Sequence, residues 1–290
     1  MKKFIKITLF AILVLGVLTL ISGGLFIYKT IYGFNFYDTD PPEIPGHIGE
    51  QAVLVFSKTN AFRHGEAIEA SQSAFQQMAD ENGWTLFSTE NGAVFNPEQL
   101  GQFDVVVWNN VSGKVLSPEQ RQVFRDWLEQ GGAYVGIHAA GDFSHQWGWY
   151  EQQVIGSRYS HHTMWPQIQE GNLTLERDKK NLELSDGLPE LWTRTEEWYV
   201  FYENPRDHGF SILYKINGNE IDPDGTIPIL ARDKDWGMGP DHPVAWYRTM
   251  GNSRIFYTSM GHQGSAFEEP YFLRMLENAI RWAGRFDRNS

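Results

Sequence analysis

Histidines in four separate segments are the residues of this chain that could do chemistry. They are His64, His138, the pair His161-His162, and His262. Imidazole is the one side chain that binds a metal ion or exchanges a proton near neutral pH without strong perturbation. Because these segments follow or end predicted strands, we expect the histidines to contribute to a common site.

A pair of acidic residues, Glu196 and Glu197, could supply a carboxylate to the same site. Adjacent acids are most often solvated, but the aromatic residues Trp198, Tyr199 and Phe201 beside them favour one being drawn inward. Alternation along a strand would place Glu197 and Tyr199 on one side and Glu196 and Trp198 on the other. An inward carboxylate could orient an imidazole, act as a general base or complete a metal site.

The elements around these residues predict a parallel sheet. Apolar runs predict strands at 52–56, 84–88, 104–108 and 134–137, and helical patterns separate them. Strands that are buried on both sides and alternate with helices form doubly wound α/β sheets, which bind ligands at the carboxyl ends of their strands. His64 and His138 both occupy that edge.

The second half of the chain predicts further strands. They are expected at 173–175, 199–202, 211–214, 227–231, 244–247 and 254–258, before a closing helix at 270–282. The expected fold class is therefore α/β, with a doubly wound, mostly parallel sheet that has extra strands in its second half.

Composition excludes several kinds of function. The chain has 290 residues and no cysteine, which rules out disulfides, thiolate metal sites and a cysteine nucleophile. Its formal net charge of −12 disfavours nucleic acid and anionic lipid as partners, because both require a basic surface. We expect a neutral or cationic ligand, or a metal.

An uncharged segment at residues 7–28 predicts a membrane span. As a helix its 22 residues would rise about 33 Å, enough to cross a hydrocarbon core of roughly 30 Å. Three lysines precede it, so the N-terminus is expected in the cytoplasm and the main domain outside, in the periplasm or extracellular space. A cleaved signal peptide is the competing interpretation, which the length of the segment disfavours. The expected organisation is an anchor at 1–32, a flexible tether at 33–50 and one α/β domain at 51–286.

Several motifs occur in order along most of the predicted domain. They include 53–59 with Phe62-Arg63-His64, 131–140 with Asp142, Trp149-Tyr150, Gly156 with Tyr159 and His162, 187–189, 196–199, 243–246, and 254–262 with Trp282-Ala283. At these residues the chain resembles the ThuA-like trehalose-utilisation family, whose fold is that of the class I glutamine amidotransferases. Family members usually have Pro where this chain has Thr163, and Asp is common where it has Glu196.

The resemblance implies roles for individual residues. Glutamine amidotransferases have a nucleophilic cysteine at the turn where His138 stands, so thiolate acyl transfer is not expected here. Glu197 aligns with the family motif, and His138 and Glu197 are the expected catalytic pair. His64, His162 and His262 are expected to orient the substrate or to hold a divalent metal such as zinc, although their spacing matches no compact metal signature.

Four further residues are expected to contact a substrate: Asp142, Trp149, Trp198 and Tyr199. Indole faces pack well against the C–H surface of sugar rings, while packing in the core is the alternative for each tryptophan. Asp142 could bond a sugar hydroxyl or cap the next helix.

Three functions are compatible with these features. The first is a membrane-tethered, exported enzyme acting on a sugar or oxidised sugar by His/Glu acid–base chemistry, with or without assistance from a metal; the carbohydrate assignment comes from the resemblance. The second is a non-catalytic sugar-binding or scaffold domain. The third is a metal-dependent amide or ester hydrolase. Expected partners are a small carbohydrate and, through residues 7–28, the lipid bilayer; the sequence does not give the oligomeric state.

Overall fold

The computed structural model describes residues 2–46, 48–178, 181–227 and 233–286. The helices of this part are α1 (Lys2–Tyr32), α2 (Gly65–Asn82), α3 (Pro97–Leu100), α4 (Pro118–Glu129), α5 (Gly148–Tyr150) and α6 (Pro270–Gly284). Its strands are β1 (Ala52–Phe56), β2 (Thr85–Thr89), β3 (Val105–Asn109), β4 (Ala133–Ile137), β5 (Tyr159–His162), β6 (Gln169–Leu175), β7 (Leu191–Glu196), β8 (Tyr199–Phe201), β9 (Ser211–Ile216), β10 (His242–Met250) and β11 (Ser253–Thr258). The strand predicted at 227–231 lies, apart from Ile227, outside the described residues.

Within these residues, nine strands form one mixed sheet in the order β2-β1-β3-β4-β11-β10-β9-β6-β7. The first five are parallel to one another. Each of the remaining strands is antiparallel to its neighbour, so β7 runs in the same direction as β11. The carboxyl ends of β1, β3, β4, β11 and β7 therefore meet at one edge. β5 and β8 pair separately as a small antiparallel sheet.

Hydrophobic side chains bury both faces of the large sheet. On β1, Val53 and Val55 face one core, while Leu54 and Phe56 face the other. Helices α2 and α6 pack on the first face, and α4 packs on the second through Phe124 and Leu128. The expected α/β fold with a mostly parallel sheet is confirmed, and β5 and β7 are additional strands that the sequence did not predict.

The N-terminal apolar segment forms a helix that projects from the domain. Residues 3–32 of α1 have a mean hydropathy of 2.6 in their most apolar part, and no residue there is buried. By length and composition this helix could cross a membrane as an anchor or act as a signal sequence.

The segment after α1, predicted as a flexible tether, lies against the domain. The Phe34 amide donates to the Asn60 carbonyl at 3.1 Å, and the Asn60 side-chain amide donates to the Phe36 carbonyl, also at 3.1 Å. Asp38 forms an ion pair with the buried Lys58 and accepts a hydrogen bond from the Gly92 amide. The first part of this segment is thus attached to the loops at the carboxyl edge of the sheet, although the division at residue 50 stays a prediction.

Candidate functional site: a histidine and glutamate cluster

His138 stands at a sharp turn directly after β4. Its backbone φ is +50°, a left-handed conformation that is uncommon outside glycine. The Tyr257 hydroxyl donates to the His138 carbonyl at 2.8 Å, and Gly141 lets the Tyr257 ring approach, since a Cβ at Gly141 would overlap that ring. The turn thereby holds the imidazole above the carboxyl edge of the sheet.

The tautomer of His138 follows from one hydrogen bond. Its Nδ1 lies 2.7 Å from the Ser259 carbonyl, which can only accept, so Nδ1 carries a proton. In the neutral ring Nε2 therefore has a free lone pair. The Tyr199 hydroxyl lies 3.1 Å from that nitrogen and can donate to it. Burial and the nearby Glu197 charge raise the pKa of Tyr199 well above its ordinary value, which keeps the hydroxyl protonated.

The Glu197 carboxylate contacts a different set of partners with each oxygen. Oε1 accepts a hydrogen bond from Gln167 Nε2 at 2.6 Å and lies 3.2 Å from His162 Nδ1. Oε2 lies 3.3 Å from His138 Nε2 and 3.2 Å from His262 Nδ1. Burial alone would raise the pKa of Glu197, but the imidazoles of His138 and His262, which donate to this carboxylate when the facing nitrogens are protonated, hold this pKa well below its usual range. Glu197 is therefore a buried carboxylate that stays ionised.

Glu196 holds the loop that presents His262. Its Oε2 accepts from the Gly261 amide at 2.8 Å and from Arg194 at 3.0 Å, and its Oε1 accepts from the His262 amide at 3.2 Å. The side chain is 1 % exposed, and its partner Arg194 is 4 % exposed. Glu196 thus acts on the backbone behind the imidazole, while the neighbouring Glu197 faces the imidazole itself.

His64 approaches the cluster from the loop between β1 and α2. Its ring centre lies 4.6 Å from that of His138 and 4.9 Å from that of His262. Its Nδ1 is buried without a hydrogen-bond partner. Burial, together with the positive charge of His138 and His262 when protonated, lowers the pKa of His64 well below its ordinary value. A neutral imidazole with an unpaired buried nitrogen is suited to binding a cation.

Four of these side chains have the donor set of a metal centre. The ligand atoms of His64, His138, Glu197 and His262 all lie within 4.8 Å of one another. His138 Nε2, Glu197 Oε2 and His262 Nδ1 form a triangle with sides of 3.2, 3.2 and 3.3 Å. Tetrahedral zinc, with bonds of about 2.0–2.1 Å to nitrogen and oxygen, separates adjacent donors by about 3.3 Å. The side chains therefore fit a zinc-sized divalent cation.

His162, predicted as a possible metal ligand, lies just outside this group. Its Nδ1 is 2.9 Å from the Thr163 carbonyl and 3.2 Å from Glu197 Oε1, so this nitrogen carries a proton and steadies the carboxylate. The side chain is 26 % exposed, more than His138 or His262. In the neutral ring Nε2 keeps its lone pair, which makes His162 a candidate for proton exchange with a substrate.

The residues expected to contact a sugar lie in different surroundings. Tyr199 is in the site, where its ring centre is 4.3 Å from that of His138. Trp198 is completely buried, its indole N–H donates to the Gln169 carbonyl, and a Cβ at Gly171 would lie 2.6 Å from its ring. Its faces are covered by the core, which is the packing alternative, and a role in sugar binding stays a prediction.

Asp142 and Trp149 have structural contacts. The Asp142 carboxylate accepts a hydrogen bond from the Ser144 amide at 2.7 Å and caps the short helix that begins at Phe143, which is the capping alternative. The Trp149 ring packs 5.2 Å from Trp147 and beneath the Arg125 guanidinium of α4. These contacts place Trp149 on the outer face of α4, and a role in substrate binding stays a prediction for both residues.

Sequence reasoning did not assign the roles of three residues in the site. Gln167 and Glu196 hold Glu197 and His262 by hydrogen bonds, and Tyr159 packs with its ring centre 4.7 Å from that of Tyr199. The available signals were weak: Tyr159 belonged to a motif of the resemblance, and Glu196 was recognised only as the neighbour of Glu197.

Comparisons with known proteins agree with this architecture. The family model described as ThuA, trehalose utilisation, matches residues 52–283. A solved structure of a ThuA-like protein from Bacteroides uniformis aligns with a TM-score of 0.66 and 22 % identity, covering 83 % of this chain and 95 % of the other. One from Parabacteroides merdae aligns with a TM-score of 0.60 and 19 % identity, covering 82 % and 91 %. Among curated proteins, none matches the sequence significantly.

Proposed function

The chain belongs to the ThuA trehalose-utilisation family, and from that premise we propose that it is an enzyme acting on a sugar or keto-sugar by metal-assisted acid–base chemistry. The family supports the carbohydrate class of the substrate. The chemistry is supported by one observation, the triangle of donor atoms from His138, Glu197 and His262, with His64 beside it. Chance placement would not bring four residues from distant segments to one point with an unpaired buried nitrogen among them.

In this proposal His64, His138, Glu197 and His262 hold a divalent cation. The cation would supply Lewis-acid polarisation of a substrate carbonyl or hydroxyl oxygen. The sequence predicts His138 and Glu197 as the pair that exchanges protons with the substrate. In this proposal they bind the cation instead, because both present lone pairs to the same point. Catalytic zinc centres also combine histidine and carboxylate ligands, and with four protein ligands in place a substrate oxygen would bind as an added fifth ligand.

In this proposal His162 exchanges a proton with the substrate, and Tyr199 donates a hydrogen bond to it. His162 Nε2 can accept a proton, and the ionised Glu197 beside its Nδ1 would stabilise the imidazolium that forms. The Tyr199 hydroxyl stays protonated and can donate a hydrogen bond to an oxygen that gains charge. These two residues act from the small β5–β8 sheet, opposite the loops that carry His64 and His262.

We also propose that α1 anchors the protein in the membrane, with the α/β domain on the outer side. The length and hydropathy of α1 support the span, and the lysines before it support this orientation. An alkaline phosphatase fused after residue 286 should be active in a bacterial host, and an inactive fusion would contradict the orientation.

Metal analysis of the detergent-purified full-length chain tests the proposed chemistry. We expect about one divalent ion per chain in the wild type and in His208→Ala, because His208 is an exposed histidine away from the cluster. His138→Ala and His262→Ala should lose the ion while circular dichroism shows an intact fold. A wild-type protein that is metal-free and gains no thermal stability from added zinc or manganese would contradict the proposal.

Turnover of a panel of aldoses and keto-sugars then tests the substrate class. The wild type should convert at least one member in a metal-dependent way, and His138→Ala should not. Metal binding without conversion of any carbohydrate would remove the sugar assignment and leave the metal centre.

A further inference from the structure

Exposed aromatic side chains surround the point where α1 meets the domain. Tyr32 is 44 % exposed, Phe36 67 %, Phe62 49 % and Phe143 40 %. We call these four residues the aromatic rim. Large apolar side chains gathered on one surface usually mark a contact with another molecule or with a membrane.

The rim is held in a fixed position relative to α1. The amide of Gly33 still donates to the Lys29 carbonyl, so the helical hydrogen bonding continues to the end of the helix. The next residues bond to the loop after β1 through Asn60, and a Cβ at Gly33 would overlap the Asn60 backbone. Phe62 lies two residues further along the same loop. The domain therefore meets α1 through a close junction.

The same junction lies next to the functional site. The Tyr32 ring is 6.3 Å from Phe143, and Phe143 stacks 5.8 Å from Tyr159. Tyr159 lies 4.7 Å from Tyr199, which lies 4.3 Å from His138. On the other side of the site, the Phe62 ring is 4.8 Å from His64. The rim thus flanks the His/Glu cluster at the carboxyl edge of the sheet.

We propose that the aromatic rim rests in the headgroup layer of the bilayer that holds α1, so that the His/Glu cluster lies close to the membrane surface. This inference rests on the membrane anchor of the proposed function. Tyrosine is enriched at the membrane–water interface, where Tyr28 and Tyr32 lie at the end of α1, and phenylalanine is among the apolar side chains that anchor interfacial segments.

Charges near the rim do not oppose this contact. Lys58 pairs with Asp38, and Arg63 forms two hydrogen bonds with Glu90 at 2.7 and 2.9 Å. Because these charges are paired and the protein is acidic overall, a zwitterionic headgroup layer fits this face better than an anionic one. A bilayer is favoured over a protein partner because the rim is continuous with a helix of membrane-spanning length.

Site-directed fluorescence in vesicles tests the proposal. Because the chain has no cysteine, Phe62→Cys and Phe143→Cys can each be labelled singly with an environment-sensitive dye in the full-length protein. Leu18→Cys, within α1, reports insertion. Leu191→Cys is the matched control, since Leu191 is 74 % exposed at the start of β7, on the opposite edge of the sheet.

The protein is reconstituted in two sets of phosphatidylcholine vesicles. One set contains lipids brominated near the headgroup and reports on positions 62, 143 and 191, and the other contains lipids brominated near the acyl-chain ends and reports on position 18, at the middle of the span. We expect quenching and a blue-shifted emission at positions 62 and 143, and neither change at 191. Quenching at 18 together with signals at 62 and 143 that match 191 would overturn the proposal while the anchor stands. Absence of quenching at 18 would overturn the anchor and this proposal with it. The labels need neither metal nor substrate, so the result is independent of the metal analysis.

Discussion

Replacing Glu196 with glutamine should both destabilise the protein and weaken metal binding at the proposed centre. The two carboxylate oxygens of Glu196 accept hydrogen bonds from three backbone amides, those of Glu197, Gly261 and His262, and from the Arg194 guanidinium. A glutamine side chain has one acceptor oxygen, so its NH2 group would face two donors that now lack an acceptor.

The expected loss in the free energy of unfolding follows from the burial of Glu196 and Arg194. Glu196 and Arg194 are almost fully buried, and Glu269 is the other carboxylate near Arg194, at 3.5 Å. Losing two hydrogen bonds to a charged acceptor and leaving a buried cation partly unpaired costs about 3–5 kcal/mol. Because the lost bonds hold the His262 backbone, metal affinity should fall by about 10- to 100-fold, as for other residues that orient a ligand.

Urea denaturation and a metal-binding titration measure the two effects in one protein. Glu190→Gln is the matched control, since Glu190 is 80 % exposed and pairs with Arg177 at 3.7 Å. An exposed pair contributes about 0–1 kcal/mol, so the control should keep both its stability and its metal affinity. If Glu196→Gln unfolds at the same urea concentration as the control and binds metal equally well, the positioning role of Glu196 is refuted.

Three further substitutions test separate parts of the site. Gly141→Ala should destabilise the protein by about 1–3 kcal/mol because its Cβ would overlap the Tyr257 ring. Gly148→Ala is the control and should be neutral, since the space around Gly148 is open. Equal melting temperatures for the two variants would contradict the packing described. Trp198→Phe should lower the free energy of unfolding by about 1–3 kcal/mol in urea denaturation, because it removes a buried hydrogen bond and core volume. Unchanged stability together with weakened sugar binding would instead support the predicted stacking role of Trp198. His162→Gln should keep the bound metal but lower turnover by about 10²- to 10⁴-fold, and loss of the metal would show that it is a ligand instead.

The parallel half of the sheet could be predicted because its strands are continuous apolar runs. All five residues of β1 and of β3 are buried, which is the pattern of a strand covered on both faces. β7 was missed for a physical reason. Its buried side carries Trp192, Arg194 and Glu196, two of them charged, so the alternation that normally marks a strand was hidden in the sequence.

The site was predictable only in outline. The positions of His64 and His138 after parallel strands predicted their convergence, because carboxyl ends of parallel strands meet at one edge. The different roles of Glu196 and Glu197 depend on which backbone amides and imidazoles surround each carboxylate. For Glu196 the partners include backbone amides 65 and 66 positions further along the chain, and such contacts are fixed by tertiary structure.

The left-handed backbone conformation at His138 lowers the stability of the protein at a residue that the proposed function requires. A non-glycine residue in that conformation is strained by about 1–2 kcal/mol, and asparagine tolerates it better. Selection for thermal stability alone would therefore favour substitutions at position 138 that remove the proposed metal-binding side chain. Libraries screened only for heat tolerance would accumulate variants at position 138 that lack the proposed metal ligand, so a stabilisation experiment should keep His138 unchanged.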